Sequence, residues 1–122
     1  MANRHEFSRA DRVRKALIRE FSDILANAIK EPQLMNHLIS VTDVEVSGDL
    51  RHAKVFVSIM DEEAVQQEVM AILKEYTPKF RYEIGQRVRL RYTPEIDIRL
   101  DSSLERGSRV TQLLNQISRG EV

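Results

Sequence analysis

Two short stretches of the sequence concentrate side chains that can bind phosphate. Residues 4–19 contain six basic and two acidic residues, and residues 78–94 contain five basic and one acidic, so each stretch carries +4. Fourteen of the 19 basic residues are arginine, whose planar guanidinium binds phosphate through paired hydrogen bonds. The alternative is two solvated faces held by internal ion pairs. We expect phosphate contacts from nine side chains: Arg9, Arg12, Lys15, Arg19, Lys79, Arg81, Arg87, Arg89 and Arg91.

Three tyrosines lie in or beside the second basic stretch, where they could stack on nucleobases. Base stacking by proteins combines aromatic rings with arginine, and Tyr76, Tyr82 and Tyr92 supply the rings. Tyr76 falls on the apolar stripe of a predicted helix, which favours packing in the core. Tyr82 faces away from Phe80 and Ile84 at helical spacing, so it is the better candidate for stacking.

Other kinds of chemistry have little support in the sequence. The four glycines are too far apart to form a phosphate-binding loop, and the chain has no cysteine. His5, His37 and His52 have no ligand partner one helical turn away, so we expect no metal site. The acidic run 61–63 fits the start of a helix better than a cation site. We expect no cofactor and no enzymatic activity, with a small hydrolase using scattered carboxylates as the remaining enzyme hypothesis.

The composition is typical of a folded protein rather than a secreted or membrane protein. The chain has 122 residues, 42% hydrophobic and 31% charged, with a formal net charge of zero. That total includes residues 61–77, whose five acidic residues and one basic residue offset part of the basic charge. No apolar run reaches the roughly 18–20 residues that a membrane span needs. We expect one cytoplasmic domain over residues 1–122, with flexible ends at 1–7 and 118–122.

The first basic stretch is predicted to lie on an amphipathic helix over residues 9–30. Ser8 can cap the start of this helix, and Pro32 disfavours helical geometry at the residue before it. Most of the basic side chains fall roughly opposite the apolar stripe, so we expect them to face water. The stripe consists of Val13, Leu17, Phe21, Ile24, Leu25 and Ala28.

A hairpin and two helices are predicted next. Residues 39–46 and 53–59 are rich in alternating apolar residues, and the polar run 47–49 forms a turn between them. An acidic helix then begins near residue 61. Thr77 is predicted to cap, and Pro78 to open, a second short helix that follows a sharp kink.

The last predicted elements are a strand and a helix. An extended segment begins at Leu90, is interrupted by Pro94 and alternates again through Ile96, Ile98 and Leu100. The resulting order, α-β-β-α-α-β-α, predicts the α+β class with helices on one face of a small sheet. The final helix is capped by Ser102 and has an apolar face made of Val110, Leu113, Leu114 and Ile117.

Four segments of the sequence occur in an order that is found in one known protein family. They are EFSRADRV (6–13), the Glu31-Pro32 pair, VTDVEVSGDLRHAKVFVSI (41–59) and RVRLRYTPEIDIRLDSSLERG (87–107). In this order they resemble the ribosome-binding factor A family over nearly the whole chain. The resemblance implies a type II KH-like fold, α-β-β-α-α-β, with a kink between its second and third helices.

The resemblance also implies a function. Members of this family are non-enzymatic and bind the immature small ribosomal subunit of bacteria late in its assembly. They are linked to maturation of the 5′ end of the small-subunit rRNA and to growth in the cold, and a small GTPase helps to release them. In this interpretation the nine basic side chains named above contact rRNA.

The helix kink departs from the family pattern. The family has a small residue and a glycine, A-x-G, where this chain has Tyr76, Thr77 and Pro78. Pro78 also breaks the helix, but it does not allow the close backbone approach that glycine does. RNA binding is therefore expected to depend on arginine side chains around the kink.

A second hypothesis assigns the chain to a different class. The acidic helix could dock a ribosomal or other basic protein, which would make the chain a KH-like interaction module without direct RNA binding. A salt titration separates the hypotheses, because phosphate contacts make affinity depend on salt. In both cases we expect a monomer.

Overall fold

The computed structural model describes residues 9–101. Its elements confirm the α+β class. The predicted cap Ser8, the predicted flexible ends and the final helix with Val110 lie outside the described residues. The elements are α1 (Arg9–Asp23) with a π-helical turn (Ile24–Ala28), α2 (Pro32–Met35), β1 (Ile39–Val46), β2 (His52–Ile59), α3 (Glu63–Glu75), α4 (Thr77–Arg87) and β3 (Glu95–Leu100).

The end of the first helix differs from the prediction. The α-helix stops at Asp23 and continues as a π-helical turn to Ala28, rather than running to residue 30. A further short helix, α2, was not predicted. The side chain of Glu31 accepts a hydrogen bond from the Gln33 amide (3.2 Å), so Glu31 caps α2. Pro32 therefore opens a new helix, because a proline in the first turn sacrifices no hydrogen bond.

The sheet is three-stranded in the order β1-β2-β3. β1 and β2 pair antiparallel, with an irregularity between Val41 and Asp43, and β2 and β3 pair parallel. The parallel pair requires a crossover connection, which α3 and α4 provide. Alternation along β2 buries Ala53 and Val55 and exposes Lys54, so one face of the sheet meets the helices.

The helices pack on that face around one hydrophobic cluster. α1 lies on β1, whereas α3 and α4 lie on β3. Phe21 of α1 and Phe80 of α4 are stacked, with ring centroids 5.3 Å apart, and both side chains are almost fully buried. No helix within residues 9–101 combines the length and apolar character needed to cross a membrane.

A single residue separates α3 from α4, which confirms the predicted kink. Tyr76 has φ −89° and ψ 5° and ends one helix as the next begins. Thr77 is the first residue of α4 rather than its cap, and no side chain caps this end of α4. The prediction for Thr77 was therefore wrong by one position, because Tyr76 already accepts the first backbone hydrogen bond of α4, from the Phe80 amide.

Candidate nucleic-acid interface

The two basic stretches meet at one end of the sheet. Arg9, at the start of α1, and Arg91, in the segment between α4 and β3, line the same cavity of about 280 Å³. Arg51, from the turn between β1 and β2, and Tyr92 line it as well. We call this the arginine cavity. Three cations that are distant in sequence thus share one surface with a single carboxylate residue, Asp49, and the excess of positive charge attracts phosphate.

Arg51 is held in place by the hairpin turn. Asp49 accepts hydrogen bonds from the Ser47 hydroxyl (2.6 Å) and the Arg51 amide (3.0 Å), and these bonds hold the pKa of Asp49 below its usual value. The Glu95 amide donates to the Arg51 carbonyl at 2.8 Å, which ties the turn to β3. Arg51 was not among the predicted site residues, because local sequence does not show that this turn approaches residue 91.

Two exposed tyrosines lie beside basic side chains, Tyr92 at the arginine cavity and Tyr82 on α4. Tyr92 is 54% exposed, and the guanidinium carbons of Arg51 and Arg91 lie 5.2 Å and 5.5 Å from its ring centroid. Tyr82 is 61% exposed on α4, as its position relative to Phe80 predicted. The Lys79 ammonium lies 5.9 Å from the Tyr82 ring centroid. All three distances fall within the range of cation–π attraction.

Tyr82 and Tyr92 line a second cavity, which we call the tyrosine cavity. It has a volume of about 650 Å³ and is also lined by Pro78, Arg81 and Arg91. Gly85 also lines it, and an added Cβ there would lie 3.0 Å from the Thr93 hydroxyl oxygen. Glycine thus allows α4 and the segment before β3 to approach closely.

Arg81 fastens α4 to that segment. Its Nε donates to the Pro94 carbonyl (3.2 Å) and its Nη2 to the Thr93 carbonyl (3.1 Å). The guanidinium also lies 3.8 Å from the Glu95 carboxylate. Part of the hydrogen-bonding capacity of Arg81 is therefore used within the protein.

Arg87 joins α1 to α4. Its guanidinium pairs with Glu20 (3.5 Å), Glu83 (3.4 Å) and Asp23. The hydrogen bond from Arg87 is the largest cause that holds the pKa of Asp23 below its usual value, and a bond from Asn27 adds to it. Arg87 is thus surrounded by carboxylates, which compete with any phosphate for hydrogen bonds from its guanidinium group.

Replacing Arg87 with glutamine is expected to destabilise the protein at pH 7 but not in acid. A carboxylate whose pKa is lowered by folding contributes stability above its unfolded pKa and loses it as the pH falls through its folded pKa. The difference in urea midpoint between wild type and R87Q should therefore shrink as the pH falls from 7 to below about 3.9, the usual aspartate value. A difference that stays constant with pH would show that the Arg87 stem, and not its charge, stabilises the contact.

The other predicted cations are distributed over α1, α4 and the segment after it. Arg12, Lys15 and Arg19 are exposed along α1, and Arg89 is exposed before β3. Arg19 lies 3.5 Å from Glu20, and Lys79 pairs with Glu83 at 3.3 Å. The α1 cations extend along the same helix that begins with Arg9, whereas Lys79 lies on the first turn of α4.

The kink residues Tyr76 and Pro78 have different surroundings. The Tyr76 hydroxyl donates to Glu31 Oε2 at 2.9 Å, which raises the pKa of Tyr76 and ties the kink to α2. Tyr76 is partly buried against the core, as its place on the apolar stripe predicted. Pro78 is exposed and lines the tyrosine cavity.

Within residues 9–101, no group of three His, Cys, Asp or Glu side chains is placed to hold a metal ion.

Comparisons with other proteins agree with this architecture. The family model described as ribosome-binding factor A matches residues 9–114. A relative of that name from Thermosynechococcus vestitus is 52% identical over 109 residues, which cover 89% of this chain and 86% of the relative.

Solved structures show the same fold. The crystal structure of ribosome-binding factor A from Thermus thermophilus superimposes with a TM-score of 0.64 at 22% identity, covering 75% of this chain and 93% of that one. A homology model of the Thermus thermophilus protein, fitted into a cryo-EM map of a 30S complex, gives a TM-score of 0.58 at 23% identity, with 70% and 88% coverage. These likenesses confirm the KH-like fold. The family match over most of the chain shows that this protein belongs to the ribosome-binding factor A family.

Proposed function

We propose that this protein is a non-enzymatic assembly factor that binds the immature small ribosomal subunit through its rRNA. The observation that carries the proposal is the convergence of Arg9, Arg51 and Arg91 on one surface in a member of a ribosome-binding family. A structural neighbour was fitted into a map of a 30S complex, which supports the small subunit as the partner.

The charge distribution favours one orientation on RNA. The exposed carboxylates at the start and end of α3, Glu63 and Glu75, lie on an element that lines neither the arginine cavity nor the tyrosine cavity. Phosphates attract the surface around the arginine and tyrosine cavities and repel the acidic surface of α3. A protein with zero net charge can therefore still approach RNA in one orientation. Structured RNA is read mainly by shape, and a protein bound in this way can hold an immature RNA arrangement until it matures.

The proposal includes the finer expectations of the family resemblance. They are a role in maturation of the rRNA 5′ end late in assembly, support of growth in the cold, and release by a small GTPase. We expect the protein to act as a monomer in the cytoplasm. The resemblance supports the first three of these expectations, and the cold role is testable by growth of a deletion strain at low temperature.

Co-sedimentation with immature and mature small subunits tests the proposal. Wild-type protein is expected to pellet with immature subunits more than with mature ones. Its affinity should fall about 40-fold between about 50 and 200 mM salt if three phosphates are bound, since each contributes about 0.9 to the slope of log K against log salt. Affinity that does not change with salt would contradict direct phosphate contact and favour docking of a protein partner by the acidic α3.

A further inference from the structure

The tyrosine cavity combines exposed aromatic rings with positive charge, a combination that packing of the core does not explain. Tyr82 and Tyr92 are both more than half exposed and line the same space, although aromatic rings gain most free energy when they are buried. The space of about 650 Å³ is a groove open to solvent rather than an enclosed pocket, so a group bound there keeps one side exposed. Arg81 and Arg91 add positive charge to its wall.

The backbone segments beside Tyr92 are fixed by hydrogen bonds. On one side, Arg51 is anchored through its own amide and carbonyl. On the other, the carbonyls of Thr93 and Pro94 accept hydrogen bonds from Arg81. A surface that is ordered before the ligand arrives pays less entropy on binding. The backbone that carries the exposed Tyr92 ring is therefore held in place before RNA binds.

We propose that the tyrosine cavity binds an unpaired nucleotide of the RNA. Its base displaces a guanidinium that lies over the Tyr92 ring and stacks there, with Tyr82 as the second aromatic wall. Its phosphate is bound by Arg91, which lines both the tyrosine and arginine cavities. This inference rests on the proposed function and adds to it that one part of the RNA under the protein is single-stranded.

The chemistry selects an unpaired base over a duplex. Bases within an A-form helix are stacked on one another, so their faces are not accessible to a tyrosine, whereas a base in a loop or at an end can be splayed out. Stacking on an aromatic ring tolerates any base, because every base has a π face. The site is thus expected to recognise strandedness rather than sequence.

Binding of a short single-stranded oligouridylate and of an RNA duplex with the same number of phosphates tests this site. Affinities are measured by fluorescence anisotropy of end-labelled RNA, so that the readout does not depend on the tyrosines that are replaced. Tyr92→Ala is expected to weaken oligouridylate binding roughly 5- to 150-fold, the range found for base–aromatic stacking. Tyr92→Phe keeps the ring and should keep wild-type affinity, and Tyr82→Ala should weaken the same probe. Duplex affinity should change less than about twofold in all three, because phosphate contacts remain.

The remaining outcomes contradict either the nucleotide site or the proposed function, and the two can be told apart. If Tyr92→Ala binds oligouridylate as wild type does, or loses the same factor for duplex, the nucleotide site is wrong, even when the wild-type protein pellets with small subunits. If wild type does not bind small subunits, the proposed function is wrong, and a Tyr92-dependent preference for single strands would still support the site. Thermal melting of each variant checks that the exposed substitutions leave the fold intact.

Discussion

Reversing the charges of Arg9 and Arg91 together is expected to lower the affinity for immature small subunits by about a hundredfold or more. These residues come from the two basic stretches and line one cavity. A hydrogen bond to a charged group contributes about 1.5–3 kcal/mol, so loss of two accounts for at least about this factor before repulsion from the new glutamates is added. The slope of log K against log salt should become shallower by about 2.

The fold is expected to survive this double substitution. Arg9 lies at the first turn of α1, where a glutamate interacts favourably with the positive end of the helix dipole. Arg91 is exposed in the segment before β3. Arg87 is left unchanged in this experiment, because its pairs with Glu20, Glu83 and Asp23 join two helices and its reversal would mix folding with binding.

A matched variant controls for net charge. Lys30→Glu with Lys74→Glu also changes the formal charge from zero to −4, since each of two reversals subtracts two charges. Both side chains are exposed and belong to neither cavity. The control should bind subunits within about threefold of wild type. Equal losses in both variants would mean that overall charge, and not the surface around Arg9 and Arg91, determines binding.

The largest expected effect on stability is that of Phe80→Ala. Phe80 is 2% exposed and stacks on Phe21 with an interplanar angle of 27°. Truncation of a buried phenylalanine to alanine costs about 3–5 kcal/mol, because the transfer free energy is lost and a cavity remains. Small proteins have only about 5–15 kcal/mol in total, so urea denaturation should show a much lower midpoint with a similar m-value.

Tyr82→Ala is the control for this experiment, because it removes a large ring from the same helix. Tyr82 is 61% exposed, and surface substitutions usually change stability by less than about 0.5 kcal/mol. The two variants should therefore separate clearly in the denaturation curve. A loss below about 1 kcal/mol for Phe80→Ala would show that α1 and α4 are held together mainly by other contacts, such as those of Arg87.

The predicted elements that depended on local patterns were confirmed with small errors. The alternation in residues 39–46 and 53–59 placed both hairpin strands within one residue, since burial of one face of a sheet imposes that period. The start of α3 was predicted near residue 61 and lies at Glu63, and the break between α3 and α4 lies at Tyr76, one residue before the predicted cap Thr77. The short helix α2 was missed, because its start depends on Glu31 turning back to the Gln33 amide, a contact that no periodic pattern shows.

Residue types and their order were sufficient to establish the α+β class, the family resemblance and the two basic stretches, because apolar periodicity and local charge are properties of neighbouring residues. Which cations share a surface depended on long-range packing. The parallel pairing of β2 with β3 brings Arg51 beside the segment of Arg91 and Tyr92, and contacts among α1, α4 and the sheet set Arg87 among carboxylates. The nine cations predicted to contact phosphate thus differ in how far their side chains are already engaged within the protein, from Arg87 among three carboxylates to Arg91 beside the Tyr92 ring, a difference that no local pattern could show.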